Sequence, residues 1–170
     1  MSLKNFLHKS SSLSDQNTTP AREIKPALTG LFEDILISGS SLRVRVTGKS
    51  MAPFLMGGEI VTLKKVPSAS FRRGDLVLFR DSQGLPFLHR IIKMDRAAST
   101  VQTKGDALLR PDKPIHHNQV LGKVFMIERV PLHPGSATIN MESHRWIIMN
   151  YLIATVYSIK SRIYCSLSTI

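Results

Sequence analysis

The sequence predicts a mainly β protein: a compact, mostly antiparallel β domain with a short N-terminal helix and a C-terminal helical tail. Three observations predict it. Six or so short stretches between about residues 40 and 131 either alternate apolar and polar residues or run apolar for four positions. Gly, Pro and Asp break the chain between them. No internal repeat and no βαβ rhythm is visible.

The elements follow in order. Residues 1–27 are polar and rich in Ser and Thr, with no apolar signal region, and are expected to be disordered. In "LTGLFEDILIS", Leu31, Phe32, Ile35 and Leu36 form one face of a helix, although Leu36 and Ile37 would also suit the start of a strand. "SLRVRVTG" alternates: Leu42, Val44 and Val46 on one face, Arg43 and Arg45 on the other. "EIVTLKKV" alternates again, with Ile60 and Thr62 opposite Val61 and Leu63. "GDLVLFR" is a short apolar strand opened by a Gly-Asp turn, and "PFLHRIIKMD" is a strand carrying His89. "STVQTKGDA" leads into a second Gly-Asp, and "QVLGKVFMIERV" is the last strand, closed by Pro131 and Pro134. The β domain is thus expected over 28–134 and the tail over 135–170. The 170 residues suffice for one such domain with a core.

The tail contains the longest apolar run, "WIIMNYLIATVYSI", Trp146 to Ile159. It is interrupted by Asn150 and falls short of the roughly 20 apolar residues a spanning helix needs. His144 and Arg145 precede it, and Lys160 and Arg162 follow it. Both an interfacial helix with basic flanks and a helix docked on the domain's own core fit. With no N-terminal signal or clear transmembrane helix, a membrane-associated or cytoplasmic location is expected.

The formal net charge of +11 suits an anionic partner, whether phospholipid, nucleic acid or acidic protein, or a basic surface with no specific partner. Nucleic acid is not expected, because the few aromatics are not interleaved with basic residues as a stacking platform. The single Cys165 excludes an internal disulfide and a zinc site of Cys type, and no cofactor is expected.

Three groups of residues suit nucleophilic chemistry. Ser50 follows its strand through Thr47-Gly48-Lys49, in a turn that Gly48 and Pro53 define. A nucleophilic Ser needs a rigid turn that presents its hydroxyl and aims backbone N–H groups at the same point. His89 in "FLHRII" suits a general base. Asp106 and Asp112 in "TKGDALLRPD" both suit the acid that orients an imidazole. Residues of these types in turns and strands are also common structural choices. Lys49 and Lys104 are rival bases. A Lys serves only when burial lowers its pKa by several units, whereas imidazole needs no such shift.

The joint pattern is more specific. "GKSMAPFL", "RRGDLVLF", "LHRII", "TKGDALLRPD" and "LGKV", in this order over about residues 43–130, resemble the signal peptidase I and LexA-type serine peptidase superfamily. The His-Arg pair resembles the His-bearing branch, the endoplasmic-reticulum, archaeal and sporulation type of signal peptidase. The resemblance implies a β peptidase domain, Ser50 as nucleophile, His89 as general base, Asp112 as the favoured third member and Asp106 in support. It implies a serine endopeptidase that cuts a protein precursor, after small residues, through an acyl-enzyme. The Ser50 N–H would donate to the oxyanion. Gly48 stands where many relatives have Ser, which leaves Thr47 as the nearby hydroxyl, and Gly58-Glu59 stands where Gly-Asp is usual.

Two other functions compete. A self-cleaving repressor-type regulator would need a DNA-binding module, for which about 40 preceding residues are too few. A non-catalytic basic module would bind nucleic acid or anionic lipid through Arg43, Arg45, Lys64, Lys65, Arg72 and Arg73.

Overall fold

The computed structural model describes residues 19–129 and 138–167. Among them the elements run α1 (Thr19–Ile37), β1 (Leu42–Arg45), β2 (Ile60–Lys64), β3 (Leu76–Arg80), β4 (Pro86–Asp95), β5 (Thr100–Lys104), β6 (Ile115–His116), β7 (Val120–Glu128), β8 (Thr138–Asn140) and α2 (His144–Leu167). The eight strands form one sheet in the order β1-β2-β7-β3-β4-β5-β6, with β8 paired to β7. Every pairing is antiparallel. The fold class expected from the sequence is the one observed.

The long strand β7 is the hinge of the sheet. Its first half pairs with β3, its second half with β2 on one side and β8 on the other. Register shifts at Thr62/Leu63 and Leu78/Phe79 bend the ladder where the halves meet, as an extra residue on one strand does. The bend gives two cores. One gathers Leu36, Met51, Leu55, Leu63, Leu76 and Leu78, and the other gathers Phe71, Val77, Phe79, Ile91 and Val101. Strand β3 contributes to both, Leu76 and Leu78 to one and Val77 and Phe79 to the other. A strand covered on both faces must be apolar at every position, which is why "LVLF" does not alternate.

Two expectations are revised. Helix α1 begins at Thr19, inside the segment 1–27 expected to be disordered, while residues 1–18 lie outside the described residues. Of its predicted face, Leu36 is buried and Phe32 and Ile35 pack on the first core, but Leu31 faces outward. Secondly, β8 lies in the stretch 135–170 expected to be a helical tail. Its three residues, of which Ile139 is buried against β7, are too few for a readable alternation. The domain boundary at 134, with Pro131 and Pro134, lies outside the described residues.

Helix α2 packs against β4. Its entry is fixed where Trp146 meets Phe54 edge to face, ring centroids 5.9 Å apart. No helix among the described residues is long and apolar enough to cross a membrane.

Candidate active site

Ser50 sits in a turn tied at both ends. Val46 N–H donates to Glu59 O at 2.8 Å, and Gly58 N–H donates to Val46 O at 2.6 Å. The buried Glu59 carboxylate accepts from Met56 N–H and Gly57 N–H, both at 2.8 Å. Glu59 thus serves to lock the end of the loop. Within the turn, Ala52 N–H reaches Lys49 O and Leu55 N–H reaches Met51 O. The Ala52–Pro53 peptide is cis. Met51 and Leu55 are both buried in the first core. The apolar residues of "SMAPFL" therefore hold the loop from below, while Ser50 is left half-buried at its rim and Lys49 points to solvent. Thr47 is exposed as well.

His89 and Arg90 are consecutive on β4, so their side chains leave on opposite faces. His89 lies opposite Val77 on β3, beside the rings of Phe79 and Phe87 at 5.9 Å each, and is buried. Its Nε2 is 3.2 Å from Ser50 Oγ and its Nδ1 is 2.7 Å from Asp112 Oδ2. A carboxylate only accepts, so the second bond puts the proton on Nδ1 and leaves Nε2 free to accept from the Ser50 hydroxyl.

The loop after β5 supplies both aspartates, and the alternation of β5 separates them. Thr103 pairs with Ile91, two residues along from His89, and so shares the His89 face. Thr103 Oγ1 donates to Asp112 Oδ2 at 2.7 Å, Asp112 N–H donates to Thr103 O at 2.9 Å, and Gln102 Nε2 donates to Asp112 O at 3.0 Å. Three bonds thus return Asp112 to the strand beside His89. Thr103 and Gln102 are orienting residues that the sequence reading did not single out.

Asp106 goes to the other face. It receives the Arg90 guanidinium in a two-pronged contact, Nε to Oδ1 at 2.9 Å and Nη2 to Oδ2 at 2.8 Å. Arg90 Nη1 also donates to Gly74 O at 3.1 Å and to Asn150 Oδ1 at 2.6 Å. The Phe54 ring covers the guanidinium at 4.7 Å. Arg90 is fully buried, and Asp106 and Asn150 nearly so. This node joins four segments: the Ser50 loop through Phe54, the turn before β3 through Gly74, the loop after β5 through Asp106, and α2 through Asn150. The interruption of the apolar run by Asn150 is thereby explained: a buried guanidinium needs an acceptor there.

Two glycines let these segments approach. A Cβ on Gly74, whose φ is +100°, would lie 2.6 Å from the Asn150 carbonyl carbon. A Cβ on Gly105 would lie 2.7 Å from Ser50 O. Ala107 N–H donates to that same Ser50 O at 2.9 Å, so the Lys-Gly-Asp loop rests directly on the backbone of Ser50.

Lys104 shares the Arg90 face, opposite Arg90 in the register, and is buried. Its Nζ donates to Gly105 O at 3.1 Å and lies over the Tyr157 ring at 4.7 Å. Burial pushes its pKa down, and nearby Asp106 opposes the shift. Strand alternation turns it away from the face on which His89 meets Ser50. Burial likewise raises the Tyr157 hydroxyl above its usual range.

Ser50 N–H has no acceptor among the described residues. The hydroxyl, the imidazole and the carboxylate form one hydrogen-bonded chain. No model of a known protein family matches this chain, and a search of curated proteins finds no match.

Proposed function

We propose that this protein is a serine endopeptidase of the signal peptidase I type that hydrolyses a peptide bond in a protein precursor. One observation carries the reading: the continuous chain from Ser50 Oγ through both nitrogens of His89 to Asp112. In the first half-reaction Ser50 Oγ attacks the scissile carbonyl carbon while His89 Nε2 takes the hydroxyl proton. Asp112 holds the resulting imidazolium, and Ser50 N–H donates to the oxyanion. The C–N bond breaks as His89 returns the proton to the leaving amine. In the second half-reaction water gives a proton to His89 and its hydroxide attacks the ester, which restores the Ser50 hydroxyl and releases the new carboxylate.

The basic residues that favoured a binding module have partners within the fold. Arg43 pairs with Glu128 and Arg72 with Glu142. Arg45 donates to Gly58 O, Lys65 to Val120 O and Arg73 to Ala154 O, and Lys64 lies over the Phe125 ring. This dispersal supports the enzyme over the module.

The test is co-expression with membrane-anchored reporters that carry small-x-small sites, read by mass spectrometry of new N-termini. A terminus present with wild type and absent with Ser50→Ala and His89→Ala is the expected result. Identical termini in all three would sink the reading. Salt-sensitive nucleic-acid binding unaffected by Ser50→Ala would favour the module instead.

A further inference from the structure

Helix α2 carries an apolar stripe on its outer side. A helix that covers a sheet turns its large aliphatic residues inward. The inward face of α2 carries instead Asn150, Ala154 and Ser161, all buried. Its backbone comes so near the turn before β3 that Gly74 has no room for a Cβ. Ile147 and Ile153 are half-buried, but the other large aliphatics point away. Ile148, Leu152, Val156, Ile159 and Ile163 are each more than half exposed. Their spacing of four, four, three and four residues makes one straight stripe about 22 Å long. A continuous apolar stripe of this length on an outer surface marks something that covers it.

The charges narrow what covers it. Helix α2 contains no Asp or Glu in 24 residues. Arg145 stands at one end of the stripe, Lys160 and Arg162 at the other, all exposed. None of the three takes part in a salt bridge among the described residues. Leu108 and Leu109, from the loop after β5, widen the apolar surface. With Val156, Ile159 and Ile163 they line a groove of about 390 Å³, whose other lining residues are Lys104, Lys160 and Tyr164. The surface is thus an apolar stripe bordered by a groove, with cations at its ends and no acid on the helix.

We propose that α2 docks by this stripe on an anionic phospholipid surface, lying in the plane of the interface with its aliphatics among the acyl chains and its basic ends at the headgroups. A second copy of the chain fits less well. An antiparallel, self-complementary pairing of two stripes would set Arg145 against Lys160 and Arg162 of the other copy, like charge on like. The docking does not depend on the peptidase reading. Joined to that reading, it makes the substrate a chain presented at the lipid surface, since Leu108 and Leu109 directly follow Ala107, which is bonded to Ser50.

The experiment is co-sedimentation of the full chain with vesicles of equimolar phosphatidylcholine and phosphatidylglycerol, and with vesicles of phosphatidylcholine alone. Wild type is expected to bind the anionic vesicles about tenfold or more tightly than the neutral ones, and to lose that margin in high salt. Val156→Glu with Ile159→Glu removes binding without moving the thermal midpoint, because both sites are exposed. Lys160→Gln with Arg162→Gln keeps the stripe and weakens anionic binding by about tenfold, and it decides the matter if the first pair disturbs folding. Absence of binding by wild type, or wild-type binding by both variants, overturns the proposal. So does a dimer in light scattering, without vesicles, that Val156→Glu with Ile159→Glu dissociates; the occupant is then a second copy. Because sedimentation needs no catalysis, the Ser50→Ala protein is expected to bind as wild type does, which separates this test from that of the peptidase.

Discussion

Asn150 Oδ1 accepts a 2.6 Å hydrogen bond from Arg90 Nη1 across a separation of 60 residues. Arg90 is the chain neighbour of His89, so this one bond fastens the C-terminal helix to the strand that carries the imidazole. Replacing Asn150 by Leu would remove the acceptor and leave a buried guanidinium with fewer partners. We expect Asn150→Leu to cost about 1.5–3 kcal/mol, the range for a hydrogen bond to a charged group. Urea denaturation followed by circular dichroism measures it as a lower midpoint at unchanged slope. An unchanged midpoint would mean that α2 is held without this bond.

The two aspartates are expected to fail differently. Asp112→Asn keeps the shape of its loop but no longer dictates which imidazole nitrogen carries the proton. Cleavage of the reporter should fall by about 10⁴-fold with little change in stability. Asp106→Asn leaves Arg90 buried without its counter-charge, and about 3–5 kcal/mol of stability should be lost. Parallel kinetics and denaturation on both variants separate the roles. A stable, inactive Asp106→Asn beside an active Asp112→Asn would reverse the assignment.

Gly105→Ala tests the contact between the Lys-Gly-Asp loop and Ser50. The new Cβ would meet Ser50 O at 2.7 Å and the Leu108 side chain at 2.9 Å. Backbone cannot yield as a flexible side chain does, so the loop must shift and carry Ser50 with it. The expected cost is about 1–3 kcal/mol, as for other overpacked sites. Turnover should fall further than that loss of folded protein explains. Turnover per folded molecule equal to wild type would disprove the coupling.

Lys104 gives a pH signature. Its folded pKa lies below the unfolded 10.5 because burial disfavours the ammonium. Below the folded pKa both states are protonated, and the full cost of the buried charge is present. Between the folded pKa and 10.5 the unfolded chain binds more protons, so this group makes stability rise with pH. Lys104→Met, which keeps most of the length of the side chain without the charge, should therefore be more stable than wild type at neutral pH. The difference should shrink as pH climbs toward 10.5. Thermal midpoints of both proteins across that range measure it, and parallel curves would contradict the burial argument. Because Lys104 stands on the face away from His89, the variant should retain cleavage.

The strands that the sequence determined are those long enough to carry a period. Alternation in "SLRVRV" and "EIVTLK", and the unbroken "LVLF" between Gly-Asp and Arg80, become β1, β2 and β3 because side-chain direction repeats every two residues. The expected span of the His89 strand, Pro86–Asp95, is that of β4. Strands β6 and β8, of two and three residues, are held by their partners rather than by any pattern of their own, and left no trace to read. Ser50, His89 and the pair Asp106 and Asp112 could be nominated from residue type, turn chemistry and resemblance. Residue type and spacing do not separate the two aspartates, because both lie in one loop within a few residues of each other, and only the resemblance favoured Asp112. Tertiary structure separates them through the pleat: Thr103 and Lys104 leave β5 on opposite faces, so Asp112 returns to the His89 side and Asp106 to the Arg90 side. Tertiary structure also decided the meaning of Asn150, which in sequence is a polar break in an apolar run. Its partner is 60 residues away, and only folding supplies the buried charge that makes an amide there necessary.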